Sequence, residues 1–291
     1  MILVKPVPLN DTNFSTTLSE NEYAAWSSTT SYAVGDRAVF NHRIYEALAA
    51  NSGVQPDTDT TKWLDLGATN AYALIDNAVT SKTVSNASYT VTLTLNQVVG
   101  TLALLEVTGQ SVTVTMTANS TQAYNKTYSL ADYGSDDYYD YFFGEIELQH
   151  NLILNDLPPY PASTITLTFT PYNGVSECGM LIIGKPKVLG DTQFGLSLGI
   201  QDYSKKTRDT FGHYSFIERS YANIGTFDLQ VATAKVADIR NTLAKNRATP
   251  ALYIGDVDHP ETAIYGIFKT FNIILSNPIV SKCSLKIEGL I

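Results

Sequence analysis

The sequence predicts a mainly β protein. It has a small three-stranded module, a jelly-roll-like antiparallel β-sandwich, and a C-terminal β-rich domain with one packed helix. Three observations predict this. Charged residues are only 16% of the 291, and Thr, Ser, Asn and Tyr supply much of the polar surface, a bias toward strands. Several segments alternate apolar residues with threonine, as in Val112-Thr113-Val114-Thr115-Met116-Thr117 and Ile165-Thr166-Leu167-Thr168-Phe169, the period of a half-buried strand. Helical periodicity is clear only at 234–245, where Val236, Ile239 and Leu243 form one apolar stripe. The length allows two or three domains. The expected division is an N-terminal arm (1–20), the module (21–67), the sandwich (68–186) and the C-terminal domain (187–291).

The arm is polar and broken by Pro6 and Pro8. Its apolar tip, Ile2-Leu3-Val4, is cut off by Lys5-Pro6, far short of a signal-peptide core. The tip is expected to form a strand, either within its own fold or donated to another subunit. In the module, Arg37-Ala38-Val39-Phe40 and Ile44-Tyr45-Glu46-Ala47 flank Asn41-His42, a hairpin signature. So short a unit has few aliphatic residues for a core, and Trp26, Tyr32, Tyr45 and Trp63 are its expected centre. Gly67-Ala68-Thr69-Asn70 then links it to the sandwich, whose expected strands are 88–95, 101–107, 112–117, 146–154, 164–169 and 180–183. With no helical crossovers visible between them, a parallel α/β sheet is disfavoured. In the last domain, strands are expected at 226–231, 252–254, 263–274 and 283–287 around the helix, which Pro250 prevents from extending. The stretch 202–219, which follows the Gly-rich 189–199, is polar and of mixed charge.

A net charge of −9 argues against a nucleic-acid binder, which needs positive charge to displace counterions, and against adsorption to anionic lipid. No run reaches membrane-spanning length. Cys178 and Cys283 stand far apart without a metal-ligand spacing, so a pair of buried free thiols is favoured over a disulfide. The four histidines are scattered, and no nucleophile elbow, zinc-protease motif or phosphate loop occurs. The expectation is no enzyme, no catalytic residue and no cofactor. In the tyrosine-acid stretch 132–143, Asp136, Asp137 and Asp140 offer oxygen ligands for calcium, but their spacing fits no calcium loop, and an exposed acidic loop is favoured. Asp136, Asp140, Glu145 and Glu147 are the first suspects for a glycosidase carboxylate pair.

Trp26, Tyr32, Gly35-Asp36, Tyr45-Glu46-Ala47, Pro56 and Trp63 together resemble the small chitin-binding modules appended to bacterial chitinases. The resemblance implies a sugar-binding role, with Tyr32, Tyr45 and Trp63 as candidate carbohydrate-stacking rings and Trp26 and Trp63 in the module core. The exposed aromatics that follow the Tyr-x-Ala strand in sugar-binding members are replaced here by Leu48-Ala49-Ala50-Asn51. The stretch 247–255 and the ending Gly266-Ile267-Phe268-Lys269…Ile287-Glu288-Gly289-Leu290-Ile291 resemble the closing domain of tailed-bacteriophage tail-tip and virion proteins. That resemblance implies a structural virion protein of the tail, made in the host cytoplasm. Its implied partners are other tail proteins, further copies of itself and a host surface glycan, with neither nucleic acid nor membrane insertion. The alternatives are a glycan-active enzyme with an appended binding module, and a purely architectural virion protein.

Overall fold

The computed structural model describes residues 1–132 and 147–290. Its body is organised on one antiparallel sheet of eleven strands. Along this sheet the order is Asn151–Leu154, Thr101–Thr108, Ser176–Val188, Ile2–Pro6, Ala251–Ile254, Ala263–Ile274, Val280–Gly289, Tyr221–Ala232 and Asp191–Thr192. Thr83–Ser85 adds to Ser176–Val188, and Ser197–Asp202 adds to Tyr221–Ala232. The mainly β class and the one α-helix among the described residues agree with the expectation from the sequence.

A second sheet of five strands, Thr121–Ser129, Ser111–Ala118, Ser163–Thr170, Tyr89–Leu95 and Phe14–Thr16, covers one part of the large sheet. The period-two segments explain the layering. Val112, Val114, Met116, Ile165, Leu167 and Phe169 point inward and meet Leu102, Leu104, Leu181 and Ile183 from the large sheet, while the intervening threonines face outward. Across this inner face Tyr89 lies directly opposite Phe169, with the rings stacked at 4.6 Å. The result is a β-sandwich whose larger sheet continues beyond the sandwich.

That continuation runs through the N-terminal strand. Ile2–Pro6 pairs with Ser176–Val188 on one side and with Ala251–Ile254 on the other. Of the two expectations for the apolar tip, incorporation into its own fold is the one observed. Successive side chains of a strand point to opposite faces, and here the two faces belong to different cores. Leu3 packs with Phe227, Tyr253 and Leu285, whereas Val4 packs with Ala103, Ile182, Leu252 and Ile254. Gly184 lets this strand approach: an added Cβ there would lie 2.3 Å from the Lys5 carbonyl oxygen. The expected boundary at 186/187 falls inside the Ser176–Val188 strand, and the expected arm contributes strands to both sheets.

The helix Val236–Lys245 is preceded by a 3-10 turn at Thr233–Lys235. It buries Ile239 and Leu243 against the strand faces carrying Phe227, Leu229 and Leu285. Asp238 in its first turn and Lys245 in its last complement the helix dipole. Cys178 and Cys283 are both buried and free, one in the sandwich core and the other beside the helix.

Candidate functional site

The module folds around its own aromatic core. Arg37–Phe40, Arg43–Ala47 and Trp63–Ala68 form its three-stranded sheet, and Ser31–Tyr32 pairs with Asn51–Ser52 beside it. The turn at Asn41-His42 has positive φ at both residues (48° and 61°), the geometry of a two-residue hairpin. Tyr32 and Trp63 meet edge to face at 5.0 Å, and Trp26 meets Phe40 in the same manner at 5.5 Å. The Trp63 indole Nε1–H donates to the Val54 carbonyl at 2.9 Å, and the Ser27 N–H donates to the Tyr32 hydroxyl at 2.8 Å.

This core decides the fate of the rings named as carbohydrate contacts. Tyr32, Tyr45 and Trp63 are 8%, 6% and 2% exposed, so the structure places all three inside the module and none on its surface. The physical reason is size: a unit whose aliphatic core residues are Ala38, Ala47 and Val54 needs its large aromatics for burial. Trp63 lies in that core, and Trp26 packs against it while partly exposed.

The surface of the module is made by other residues. Arg37 lies opposite Glu46, and Glu46 lies opposite Leu64, so these three share the outer sheet face. The Arg37 guanidinium pairs with Glu46 at 2.8 Å, donates to the Tyr23 hydroxyl at 2.8 Å and sits 5.6 Å over the Tyr23 ring. Tyr23 and Leu64 are exposed beside this pair. An aromatic ring, a planar cation and a carboxylate in one row suit a ligand with an apolar face and hydroxyl rim. Tyr23 carries no pattern of its own in the sequence, because it precedes the first strand of the module. Its place ahead of the Trp26 anchor was the available signal.

Where the module meets the body, His42 is the centre. Its ring stacks on Tyr72 at 3.7 Å, its Nδ1 lies 2.7 Å from Glu20 and its Nε2 lies 3.0 Å from Asp11. Glu20 also accepts from the Thr69 hydroxyl, and Glu22 accepts from the Asn70 N–H at 2.7 Å. The His42 carbonyl accepts from the Thr69 N–H at 2.9 Å. The expected linker is thus held: Gly67 and Ala68 belong to the module sheet, and Thr69 is buried. Burial opposes the charged imidazole, but the hydrogen bonds and charges of Glu20 and Asp11 outweigh it and raise the His42 pKa. Burial, with the adjacent Asp11 charge, pushes the Tyr72 hydroxyl up to about 12, so it stays neutral.

The other histidines are dispersed. His213 faces Asp209 and His259 faces Glu261, both on exposed loops. Among the described residues, no group of three or more His, Cys, Asp or Glu stands close enough to hold a metal ion. Asp136, Asp137, Asp140 and Glu145 lie outside the described residues; Glu147 begins the short strand Glu147–Leu148. Among the described residues no helix is long and apolar enough to cross a membrane. No protein-family model matches the chain, and no curated protein matches it.

Proposed function

We propose that the chain is a structural subunit of a bacteriophage tail, at its adsorption end, that displays the 21–67 module for host-surface recognition. The observation that carries this reading is the division of labour in the molecule. A module with a private aromatic core is held by the His42 junction against a body whose largest sheet runs from the sandwich into the C-terminal region. A module with its own core, carried on a larger body, is suited to presenting a surface, and activity in this reading is attachment rather than turnover. The ligand class is a host surface glycan, met by the outer row of Tyr23, Arg37, Glu46 and Leu64 and not by the buried rings. Arg37 and Glu46 supply the polar rim that sugar hydroxyls require, and Tyr23 supplies the apolar face.

The test is direct. Antibody raised against the full chain should label the tail tip of particles in negative stain, and the full chain added in excess should compete with particle adsorption. Tyr23→Ala and Arg37→Ala should weaken that competition without lowering the melting temperature. Absence of the chain from purified particles would end this reading. So would release of oligosaccharides from surface polysaccharide, abolished by changing a single carboxylate.

A further inference from the structure

The hairpin of Lys205–Arg208 and Tyr214–Ile217 leaves the large sheet beyond Asp202 and Tyr221, and every residue of its two strands is exposed. An isolated two-stranded hairpin is at best marginally stable in water. This one is pinned at its tip, where the Asp209 carboxylate accepts from the Phe211 and His213 N–H groups at 2.9 and 2.8 Å. Its side chains are not those of a solvated loop. Lys206 lies opposite Phe216 and Arg208 opposite Tyr214, so one face carries two aromatics and two cations. The Tyr214 and Phe216 rings stack at 5.7 Å, with the Arg208 guanidinium 5.4 Å over Tyr214. Phe216 is 69% exposed, and Phe211 at the tip is 86% exposed.

The charge of the arm opposes that of the remaining chain. Residues 203–219 hold four basic and two acidic side chains, which leaves 15 basic and 26 acidic ones elsewhere. At the other end of the same sheet lies an open groove of about 550 Å³. Phe194, Asp228, Gln230, Asn272, Ile274 and Ser284 are among the residues that line it. Phe194 stands fully in solvent at its rim, and Leu275 and Ile279 are exposed nearby. Asp191 lies opposite Gln230, and a hydrogen bond from the Thr192 hydroxyl to the Gly255 carbonyl brings Asp256 to the same end. Lys282 is the one basic residue in the lining. Tyr221 at the root of the hairpin and Gln230 in the groove lie on one strand, separated by about 30 Å at a strand's rise per residue. The arm points away from its own groove.

We infer that the arm joins copies of this chain head to tail. Phe211 and the Tyr214/Phe216 face of one copy seat in the Phe194/Ile274 groove of the next, and Arg208 meets its acidic rim, while Lys206 pairs with Asp202 of its own chain at 2.6 Å. Such a contact uses two different surfaces, so it propagates to a ring or an open row of subunits rather than stopping at a two-fold dimer. It does not depend on what the module binds.

The experiment is sedimentation velocity on the full chain across a concentration series, with two variants. One is Phe211→Ser combined with Phe216→Ser; the other is Ile274→Asp. All the altered side chains are exposed, so melting temperatures should match the parent. The parent should form species larger than a dimer, and each variant should dissociate at least about 30-fold more readily, the loss expected for aromatic anchors. An equimolar mixture of the two variants retains one intact arm and one intact groove and should form a dimer and nothing larger. A parent that stays monomeric up to its solubility limit would overturn the inference. So would a groove variant that assembles like the parent, or a mixture that yields no dimer.

Discussion

Trp63 illustrates how one residue is committed to one role. Its ring is buried against Tyr32, and its Nε1–H is satisfied by Val54, so both its apolar and its polar parts are spent inside the module. Trp63→Ala should cost about 3–5 kcal/mol, the usual loss for a buried Trp. Because the module core is separate, its melting should collapse while the far-ultraviolet signal of the body persists; simultaneous loss of both would show that the module has no independent stability. His42 is the second residue with a defined consequence. The doubly protonated ring donates to both Glu20 and Asp11, whereas the neutral ring has one N–H and satisfies only one. Its folded pKa is raised above 6.5, so its stabilisation is fully present below that value and is lost as pH rises through the folded pKa. Denaturation followed by tryptophan fluorescence reads the module, since both Trp residues, Trp26 and Trp63, lie in it. The midpoint should fall as pH rises through the folded pKa in the parent and stay flat in His42→Ala. Equal slopes in the two proteins would remove His42 from the junction.

Among the elements, the strand Ile2–Pro6 has the widest consequences. It is flanked by Ser176–Val188 and Ala251–Ile254, and its two faces serve two cores. Val4→Asp places a carboxylate without a partner at a fully buried position, a change worth on the order of 4 kcal/mol or more. The expected outcome is loss of the cooperative fold in both the sandwich and the helix-bearing region, read by protease sensitivity on either side of residue 188. Protection retained on both sides would mean that the strand is dispensable. The same placement argues that removing residues 1–20 damages folding before it damages assembly, because the arm supplies strands to both sheets.

On the scale of the whole molecule, a sheet that passes from the sandwich into the C-terminal region makes these two regions one cooperative body. The cysteines report on it. Cys178 lies in the sandwich core, where burial pushes its thiol up to about 12, and Cys283 lies in the core beside the helix, where burial also raises it. A thiol-reactive dye should label neither in the native protein, since the thiolate is the reactive form. In rising denaturant both should become reactive over one transition. Labelling of Cys283 well before Cys178 would show that the C-terminal region unfolds by itself.

Sequence alone determined the β class, the helix that became Val236–Lys245, the module core and the hairpin at Asn41-His42. Each of these depends on a local period or on residue size. Alternation of Thr with Val or Ile sets a strand's two faces wherever the strand is placed, and a short unit must bury its large rings. The segment 112–117 was legible from its period of two, 234–245 from the helical spacing of Val236, Ile239 and Leu243, and Trp63 from its size. Only the tertiary structure decided that Ile2–Pro6 closes a sheet between segments more than 170 residues away in the chain. It also decided that Tyr23 faces out beside Arg37, and that the polar stretch around Phe211 is a two-stranded hairpin. Those outcomes depend on which strands pair and on which face is covered. Pairing and covering are set by contacts distant along the chain, and no local pattern encodes them.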